Sequence, residues 1–223
     1  MEIGQRLESI RAAIDAALAR SGRKDREVHI VAVTKKHPAA LVDAAAAAGL
    51  SDIGENRIQE ALAKAPDVTA PVTWHLIGHL QRNKVRRAVE LFSWIHSVDS
   101  IRLVDALAAT EVPQHVFLQV NVAGEARKTG VAPEQARALL QAAVQVPTLS
   151  VQGLMTMAPF GADAEAARPH FRALRELRDD LVARGDAPPL PYLSMGMSGD
   201  FSVAVEEGAT HLRLGTALFG PRR

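Results

Sequence analysis

The chain of 223 residues contains no cysteine, so disulfide bonds, thiolate zinc sites and thiol catalysis are excluded. It also has no long apolar run, because no stretch approaches the roughly 20 apolar residues that a membrane span requires. The first twenty residues, MEIGQRLESIRAAIDAALAR, are charged throughout and lack the apolar core of a signal peptide. We therefore expect a cytoplasmic protein without a membrane partner.

Neither sign of charge dominates the sequence. Lys and Arg number 26 and Asp and Glu number 25, which gives a formal net charge of +1. This balance disfavours nucleic acid or an anionic membrane as the main partner. The terminal pair Arg222–Arg223 is expected to be a solvated tail. Apolar residues make up 48% of the chain, enough for a sizeable core, and we expect residues 1–223 to form one domain.

The apolar pattern alternates between helix-like and strand-like segments. Residues 3–20 have apolar side chains at helical spacing, and further helix-like segments cover 38–48, 100–109, 133–145 and 163–184. Short apolar runs, which we interpret as strands, occupy 28–34, 51–53, 73–77, 93–98, 115–121, 150–156, 191–195 and 210–214.

Eight strands that alternate with helices predict a parallel sheet with helical crossovers. The number eight favours a closed (β/α)8 TIM-type barrel, preceded by one extra N-terminal helix. An open, doubly wound sheet is the structural alternative. In a barrel of this type, functional residues lie at the carboxyl ends of the strands and in the loops that follow them.

A lysine follows the first of these strands. At the mouth of a barrel, a partly desolvated lysine such as Lys35 can attack an aldehyde and form a Schiff base. The alternative is that Lys35 and Lys36 form a pair of surface lysines. Successive side chains point to opposite faces of a strand, yet both faces of a barrel strand are apolar. The sequence alone therefore leaves open which lysine points inward.

Two glycine- and serine-rich segments follow the last two predicted strands. In 210–220, Gly215 and Thr216 stand between a strand and a helix-like start, where backbone N–H groups can approach a phosphate. In 193–200, Ser194 or Ser198 could donate a hydroxyl to the same group. Ordinary turns rich in small residues are the alternative. Arg213, a permanent cation, would keep a neighbouring pyridine nitrogen unprotonated, unless it forms a structural salt bridge.

The remaining patterns argue against two classes of site. His75 and His79 straddle a strand end, and the histidines at 37, 96, 115, 170 and 211 are scattered along the chain. Without cysteine or an HExxH motif, we expect no metal. No GxGxxG follows the first strand, so a dinucleotide fingerprint is absent.

Nine segments in order resemble one known family. These are AVTKKHP (32–38), IGENRIQE (53–60), WHLIGHLQRNK (74–84), HSVD (96–99), QVN (119–121), KTG (128–130), GLMTM (153–157), LSMGMSGD (193–200) and RLGTALFG (213–220). Together they look like the pyridoxal phosphate (PLP) homeostasis protein family, which is similar to the N-terminal domain of alanine racemase. The resemblance covers nearly the whole chain.

The resemblance implies a fold-type III PLP protein with Lys35 as the Schiff-base lysine. It implies Arg213 at the pyridine nitrogen, and it implies Ser194, Gly215 and Thr216 at the phosphate.

Two further positions are implied near the cofactor ring. Asn56 of the GEN motif is expected beside it, and Met155 against its face. Two departures from the family pattern stand elsewhere: Arg127 replaces a small or acidic residue, and His79 replaces a common proline. Both could alter how a ligand enters.

The resemblance implies a PLP-binding protein of vitamin B6 homeostasis, without catalytic activity of its own. It would hold PLP as a Schiff base and store it or deliver it to apo PLP-dependent enzymes, as a monomer or weak dimer. The alternatives are a racemase-like PLP enzyme and a barrel for another phosphorylated ligand. Racemases need a second base on the opposite face of the substrate. The chain ends after the barrel and its sole tyrosine, Tyr192, is expected to pack, so we expect no racemase activity.

Overall fold

The computed structural model describes residues 2–125, 129–159, 161, 163–185 and 188–221. Eight parallel strands close into a barrel in sequential order, and the last strand pairs with the first. The strands are β1 (His29–Val33), β2 (Asp52–Glu55), β3 (Thr73–Leu76), β4 (Trp94–Val98), β5 (Gln114–Gln119), β6 (Leu149–Met155), β7 (Tyr192–Met197) and β8 (His211–Leu214).

Helices cover the outside of the barrel, one after each strand. The helices of the described residues are α1 (Ile3–Arg20), α2 (Ala39–Ala47), α3 (Ile58–Lys64), α4 (Val85–Val89), α5 (Ile101–Ala108), α6 (Ala136–Val144), α7 (Ala164–Ala183), α8 (Phe201–Glu206) and α9 (Thr216–Phe219). Short 3-10 turns precede α4 and α6 and follow α3.

The predicted (β/α)8 barrel is confirmed, and the open-sheet alternative is wrong because β1 pairs with β8 along four residues. The predicted N-terminal helix over 3–20 matches α1, which packs against α8 and α9. Its apolar side chains, including Leu7, Ile10 and Ile14, are buried in the outer core. Helical spacing is a reliable signal here because the opposite face of α1 is charged.

Alternate residues of each strand serve two separate cores. On β1, Ile30 and Ala32 join the large core between strands and helices, whereas Val31 and Val33 form a small cluster with Ile77 inside the barrel. In-register pairing aligns the inward residues of neighbouring strands, as Val31 aligns with Arg213. The interior of the barrel is therefore the surface that carries polar side chains toward the carboxyl rim.

No helix of the described residues is long and apolar enough to cross a membrane.

Candidate functional site

The two lysines that follow β1 differ in placement. Val31 and Val33 face the interior, and the same alternation carries Lys35 to the inner side of the rim, where it is half-buried. Lys36 is exposed and has a left-handed backbone with φ 64°. By this alternation Lys35 continues the inward-facing series of β1, whereas Lys36 has a left-handed backbone and an exposed side chain.

Both peptide groups that flank Lys35 are held by α3. The Lys64 ammonium donates to the carbonyl oxygen of Thr34 over 2.8 Å. On the other side, the backbone N–H of Lys36 donates to the carboxylate of Glu60. The backbone N–H of Thr34 also donates to the Gly54 carbonyl of β2 over 3.1 Å. These contacts fix the direction in which the Lys35 side chain leaves the backbone.

The clamp that these contacts from α3 form around Lys35 depends on a buried ion pair between Lys64 of α3 and Glu55 of β2. Lys64 lies 2.5 Å from Glu55, and their side chains are 7% and 0% exposed. Burial raises the pKa of the Glu55 carboxyl, while hydrogen bonds from Lys64 and Thr34 and the Lys64 charge act in the opposite direction. One Glu55 oxygen, Oε2, has no hydrogen-bond partner. The carboxylate therefore relies on Lys64 for compensation.

Replacing Lys64 by methionine is expected to lower the free energy of unfolding by about 3–5 kcal/mol at pH 8, because it leaves a buried carboxylate without its cation. The loss of stability should be smaller at pH 5. A carboxyl whose pKa is raised in the folded state takes up a proton as the pH falls toward its pKa in the unfolded state, and the neutral group no longer needs the cation. Urea unfolding of Lys64→Met at both pH values measures the effect.

The matched control is Lys36→Met, which removes an exposed lysine and leaves the backbone contact to Glu60 in place. We expect a change of at most about 0.5 kcal/mol, typical of surface substitutions. Adding Glu55→Gln to Lys64→Met should recover part of the lost stability. Equal losses for the two lysine variants would contradict the ion-pair argument.

Arg213 is the cation inside the barrel. Its guanidinium donates to the Ser194 hydroxyl over 2.7 Å and to the Thr156 carbonyl over 2.8 Å. Burial lowers the pKa of Arg213 to about 10, which the nearby Asp200 carboxylate partly offsets, so the side chain is charged at neutral pH. An arginine has five N–H donors, and two acceptors leave others for a ligand.

The two candidate serines of the seventh strand region occupy different sites. Ser194 is fully buried beneath Arg213 and also contacts His96 over 2.8 Å. Ser198 lies at the rim, where its hydroxyl accepts the backbone N–H groups of Gly215 (3.3 Å) and Ala217 (3.1 Å). Ser198, rather than Ser194, is therefore the serine that contacts the Gly215–Thr216 turn.

A glycine makes this arrangement possible. Gly196 has φ 93°, and a Cβ there would lie 2.6 Å from the Ala204 side chain and 2.9 Å from Leu212. The pairing of β7 with β8 shifts register between Ser194 and Met197. The bend sends Ser194 down the barrel and Ser198 toward the rim.

The helix that begins at Thr216 is a single turn, so the backbone N–H groups rather than a long helix dipole provide the donors.

Asn56 and Met155 lie at the carboxyl ends of two strands, β2 and β6, that are not neighbours in the barrel. Asn56 follows β2 and is half-buried, and its backbone lies so close to Gly78, just after β3, that a Cβ on Gly78 would overlap the Asn56 carbonyl. Met155 is the last residue of β6, is fully buried, and aligns with the inward Ser194 of β7. The barrel thus brings Met155, Ser194 and Arg213 to one interior region, with Lys35, Asn56 and Ser198 at the rim above.

Comparison with known proteins places this geometry in a family. The sequence profile of the alanine racemase N-terminal domain matches residues 6–223. The pyridoxal phosphate homeostasis protein of Pseudomonas aeruginosa is 44% identical over 225 residues, which cover 99% of this chain and 96% of the relative. That of Aquifex aeolicus is 40% identical over 228 residues, which cover 100% of both.

The chain belongs to the pyridoxal phosphate homeostasis protein family. A solved family structure, PipY from Synechococcus elongatus with PLP bound, has a TM-score of 0.86 at 39% identity and covers 98% of this chain and 100% of its own. The resemblance inferred from the sequence motifs is confirmed, and so is the alanine-racemase-like barrel.

Three of the five histidines that are scattered along the sequence, His96, His115 and His211, meet in the folded barrel. With His29 and His75 they form one ring cluster in its lower half. Trp94, Phe117 and Tyr192 complete the cluster. Sequence distance concealed it, because the residues come from six strands that meet only when the barrel closes. Period-two alternation of polar residues within those strands was the available signal.

Burial makes the inner histidines neutral at pH 7. It lowers the pKa of His96 well below its ordinary value and that of His211 to about 3. Within the described ranges, no group of three or more histidines and carboxylates is placed to hold a metal ion.

Of the two residues that depart from the family pattern, His79 lies among the described residues and Arg127 does not. His79 lies at the rim, 3.3 Å from the Asp99 carboxylate, next to the loop that follows β3. Arg127 and Arg222–Arg223 lie outside the described residues, as does Lys128 of the KTG motif.

Proposed function

We propose that this protein binds PLP covalently through Lys35 and serves in PLP homeostasis, storing the cofactor and releasing it to apo enzymes. The observation that carries the proposal is that three complementary groups lie at the carboxyl end of the barrel, two at the rim and one just inside it. An amine, a guanidinium and two converging backbone N–H groups come from β1, β8 and the turn after β8. They match the aldehyde, the pyridine nitrogen and the phosphate of PLP.

The donor set fits the chemistry of the proposed cofactor. The backbone N–H groups of Gly215 and Ala217 converge on one acceptor, the Ser198 oxygen, and a phosphate would replace that oxygen and accept the Ser198 O–H. Arg213 has guanidinium N–H groups beyond those used by Ser194 and Thr156, and these suit a pyridine nitrogen. We propose Asn56 and Met155 beside the ring. Among the serines, we propose Ser198 at the phosphate and Ser194 as the support of Arg213.

Bound PLP supplies a reactive aldehyde, which a lysine amine captures reversibly, and a ring that can withdraw electrons from an attached amino acid. Arg213 weakens the second property, because a guanidinium donates a hydrogen bond to the ring nitrogen without giving up its proton. A reversible bond to Lys35 with a weakened electron sink suits holding and exchange better than a dedicated reaction.

The placement of Tyr192 supports a role without racemisation. This sole tyrosine of the chain lies at the start of β7, where its ring packs against His29 and His211 at the amino end of the barrel. It therefore cannot serve as a base opposite Lys35, which lies beyond the carboxyl end of β1. The other nearby bases, His75 and His96, are buried below the site.

The binding half of the proposal predicts that purified protein incubated with PLP retains it through gel filtration. Borohydride reduction followed by peptide mass mapping should place the adduct on the peptide that contains Lys35. Adduct spread over many surface lysines would contradict a defined site.

The delivery half is tested by mixing the holo-protein with an apo PLP enzyme while a phosphatase keeps free PLP low. Activity should return faster than with an equal amount of free PLP under the same conditions. Recovery no faster than that control would leave storage without delivery. The same preparation, incubated with L-alanine, should form D-alanine far more slowly than the ~1 per second of an ordinary enzyme.

A further inference from the structure

A continuous hydrogen-bonded chain runs through the barrel interior from its amino end to Arg213. His75 Nε2 lies 3.0 Å from the Asp52 carboxylate, and His75 Nδ1 lies 3.0 Å from His96 Nε2. His96 Nδ1 lies 2.8 Å from the Ser194 hydroxyl, which accepts the Arg213 guanidinium at 2.7 Å. Four strands contribute to the chain besides β8, so only barrel closure assembles it.

The hydrogen-bonded chain connects solvent at the amino end with the interior of the barrel. Asp52 is 31% exposed at the amino end, while His75, His96, Ser194 and Arg213 are all buried to 96% or more. Each buried polar side chain in it finds a partner, which is the condition for a polar chain to be tolerated in a core.

The donors and acceptors of its side chains give the hydrogen-bonded chain a single direction. An ionised Asp52 only accepts, so His75 carries its proton on Nε2, and neutral His75 then accepts at Nδ1. His96 must donate from Nε2 and accept at Nδ1, which forces the Ser194 hydroxyl to donate to it. Both lone pairs of Ser194 remain on the Arg213 side, where the guanidinium donates. Every donor therefore points from Arg213 toward Asp52.

The surroundings favour the neutral imidazoles that this direction requires. Burial lowers the pKa of His75, although Asp52 acts against it, and burial lowers that of His96 still further. The charged and titratable groups that act on the two rings are Asp52, His29 and His115 for His75, and His75, His211 and Arg213 for His96.

We propose that Ser194, His96 and His75 are positioning residues for Arg213, anchored by Asp52 at the opposite end of the barrel. The chain fixes the Ser194 hydroxyl as an acceptor, and this acceptor, together with the Thr156 carbonyl, sets the plane of the guanidinium. The remaining N–H groups of Arg213 are thereby aimed at a ligand. This inference rests on the proposed function, in which that ligand is the pyridine nitrogen of PLP.

The test compares PLP with its analogue in which C–H replaces the pyridine nitrogen. The unmodified protein should bind PLP more tightly than the analogue. In Ser194→Ala and in His96→Phe, which keeps a ring against Phe117, that preference should fall about tenfold, the effect of one hydrogen bond to a charged group. A general loosening of the barrel would lower both affinities equally and leave the preference unchanged.

The matched control is His115→Phe. His115 belongs to the same ring cluster, stacks on Trp94 at 4.6 Å and contacts Gln152. It is not part of the hydrogen-bonded chain that runs from Asp52 to Arg213. Its substitution should leave the preference intact. An unchanged preference in both Ser194→Ala and His96→Phe, with PLP still bound, would overturn the positioning role alone. Failure of the unmodified protein to bind PLP would overturn the proposed function and this inference with it.

A measurement on the unmodified protein covers variants that fail to fold. Nitrogen-15 NMR of the histidine rings should show His75 and His96 as neutral Nε2–H tautomers from pH 8 to pH 6. An Nδ1–H tautomer at His96 would contradict the direction of the chain and overturn the proposal.

Discussion

Replacing Lys35 by alanine is expected to abolish covalent attachment of PLP completely while the protein remains folded. Lys35 lies in the turn after β1, half-buried at the rim, and the clamp on its neighbours involves backbone groups that alanine retains. The variant removes the amine that captures the aldehyde and leaves these backbone contacts in place. Absorbance after gel filtration and mass analysis after borohydride reduction measure the loss, and thermal unfolding checks the fold.

Lys36→Ala provides the matched comparison, since Lys36 is the next residue and is also a lysine. Its side chain is exposed and its backbone runs in the left-handed region, so it lies outside the inner face. Covalent binding should persist at the level of the unmodified protein. Loss of the adduct in Lys36→Ala with retention in Lys35→Ala would reverse the assignment.

Removing the phosphate from the ligand is expected to weaken binding by about a hundredfold or more. The Ser198 hydroxyl accepts the backbone N–H groups of Gly215 and Ala217. A phosphate dianion bound there would replace the Ser198 oxygen as acceptor of these groups and would accept the Ser198 O–H as well. Hydrogen bonds to a charged group contribute about 1.5–3 kcal/mol each, and every 1.4 kcal/mol changes affinity tenfold. Titration of the protein with PLP and with pyridoxal, followed by absorbance, measures the ratio.

Ser198→Ala should lower the affinity for PLP about tenfold, the effect of one such hydrogen bond, and leave that for pyridoxal nearly unchanged. Ser150→Ala is the control, because Ser150 is exposed near the amino end of β6, where its hydroxyl accepts a hydrogen bond from Gln152. Equal affinities for PLP and pyridoxal would remove the phosphate site. A larger selective loss in a Ser194 variant than in Ser198→Ala would return the phosphate role to Ser194.

The sequence by itself determined the architecture and the rim. Strand and helix periods repeat eight times, and a barrel brings the carboxyl end of every strand to one edge. Lys35, Asn56, Arg213 and Gly215 could therefore be grouped without coordinates, although they come from distant segments. The ordered motifs also indicated the family.

Only the tertiary structure decided which of two neighbouring side chains faces inward. Both faces of these strands are apolar, so alternation has no reference until one residue is known to be inside. Val31 and Val33 provide that reference, from which alternation assigns Lys35 to the inner face, and Lys36 has a positive φ and an exposed side chain. In the same way, the register shift after Ser194 separated it from Ser198, which no period in the sequence encodes.

The chain from Asp52 to Arg213 belongs entirely to the tertiary structure. Its members lie on five strands and are individually ordinary polar residues of apolar segments. Their significance comes from distances of 2.7–3.0 Å that exist only after the barrel closes. Local propensity and alternation constrain neighbours along the chain, whereas hydrogen bonds across a barrel depend on register and closure, which are set by the packing of all eight strands together.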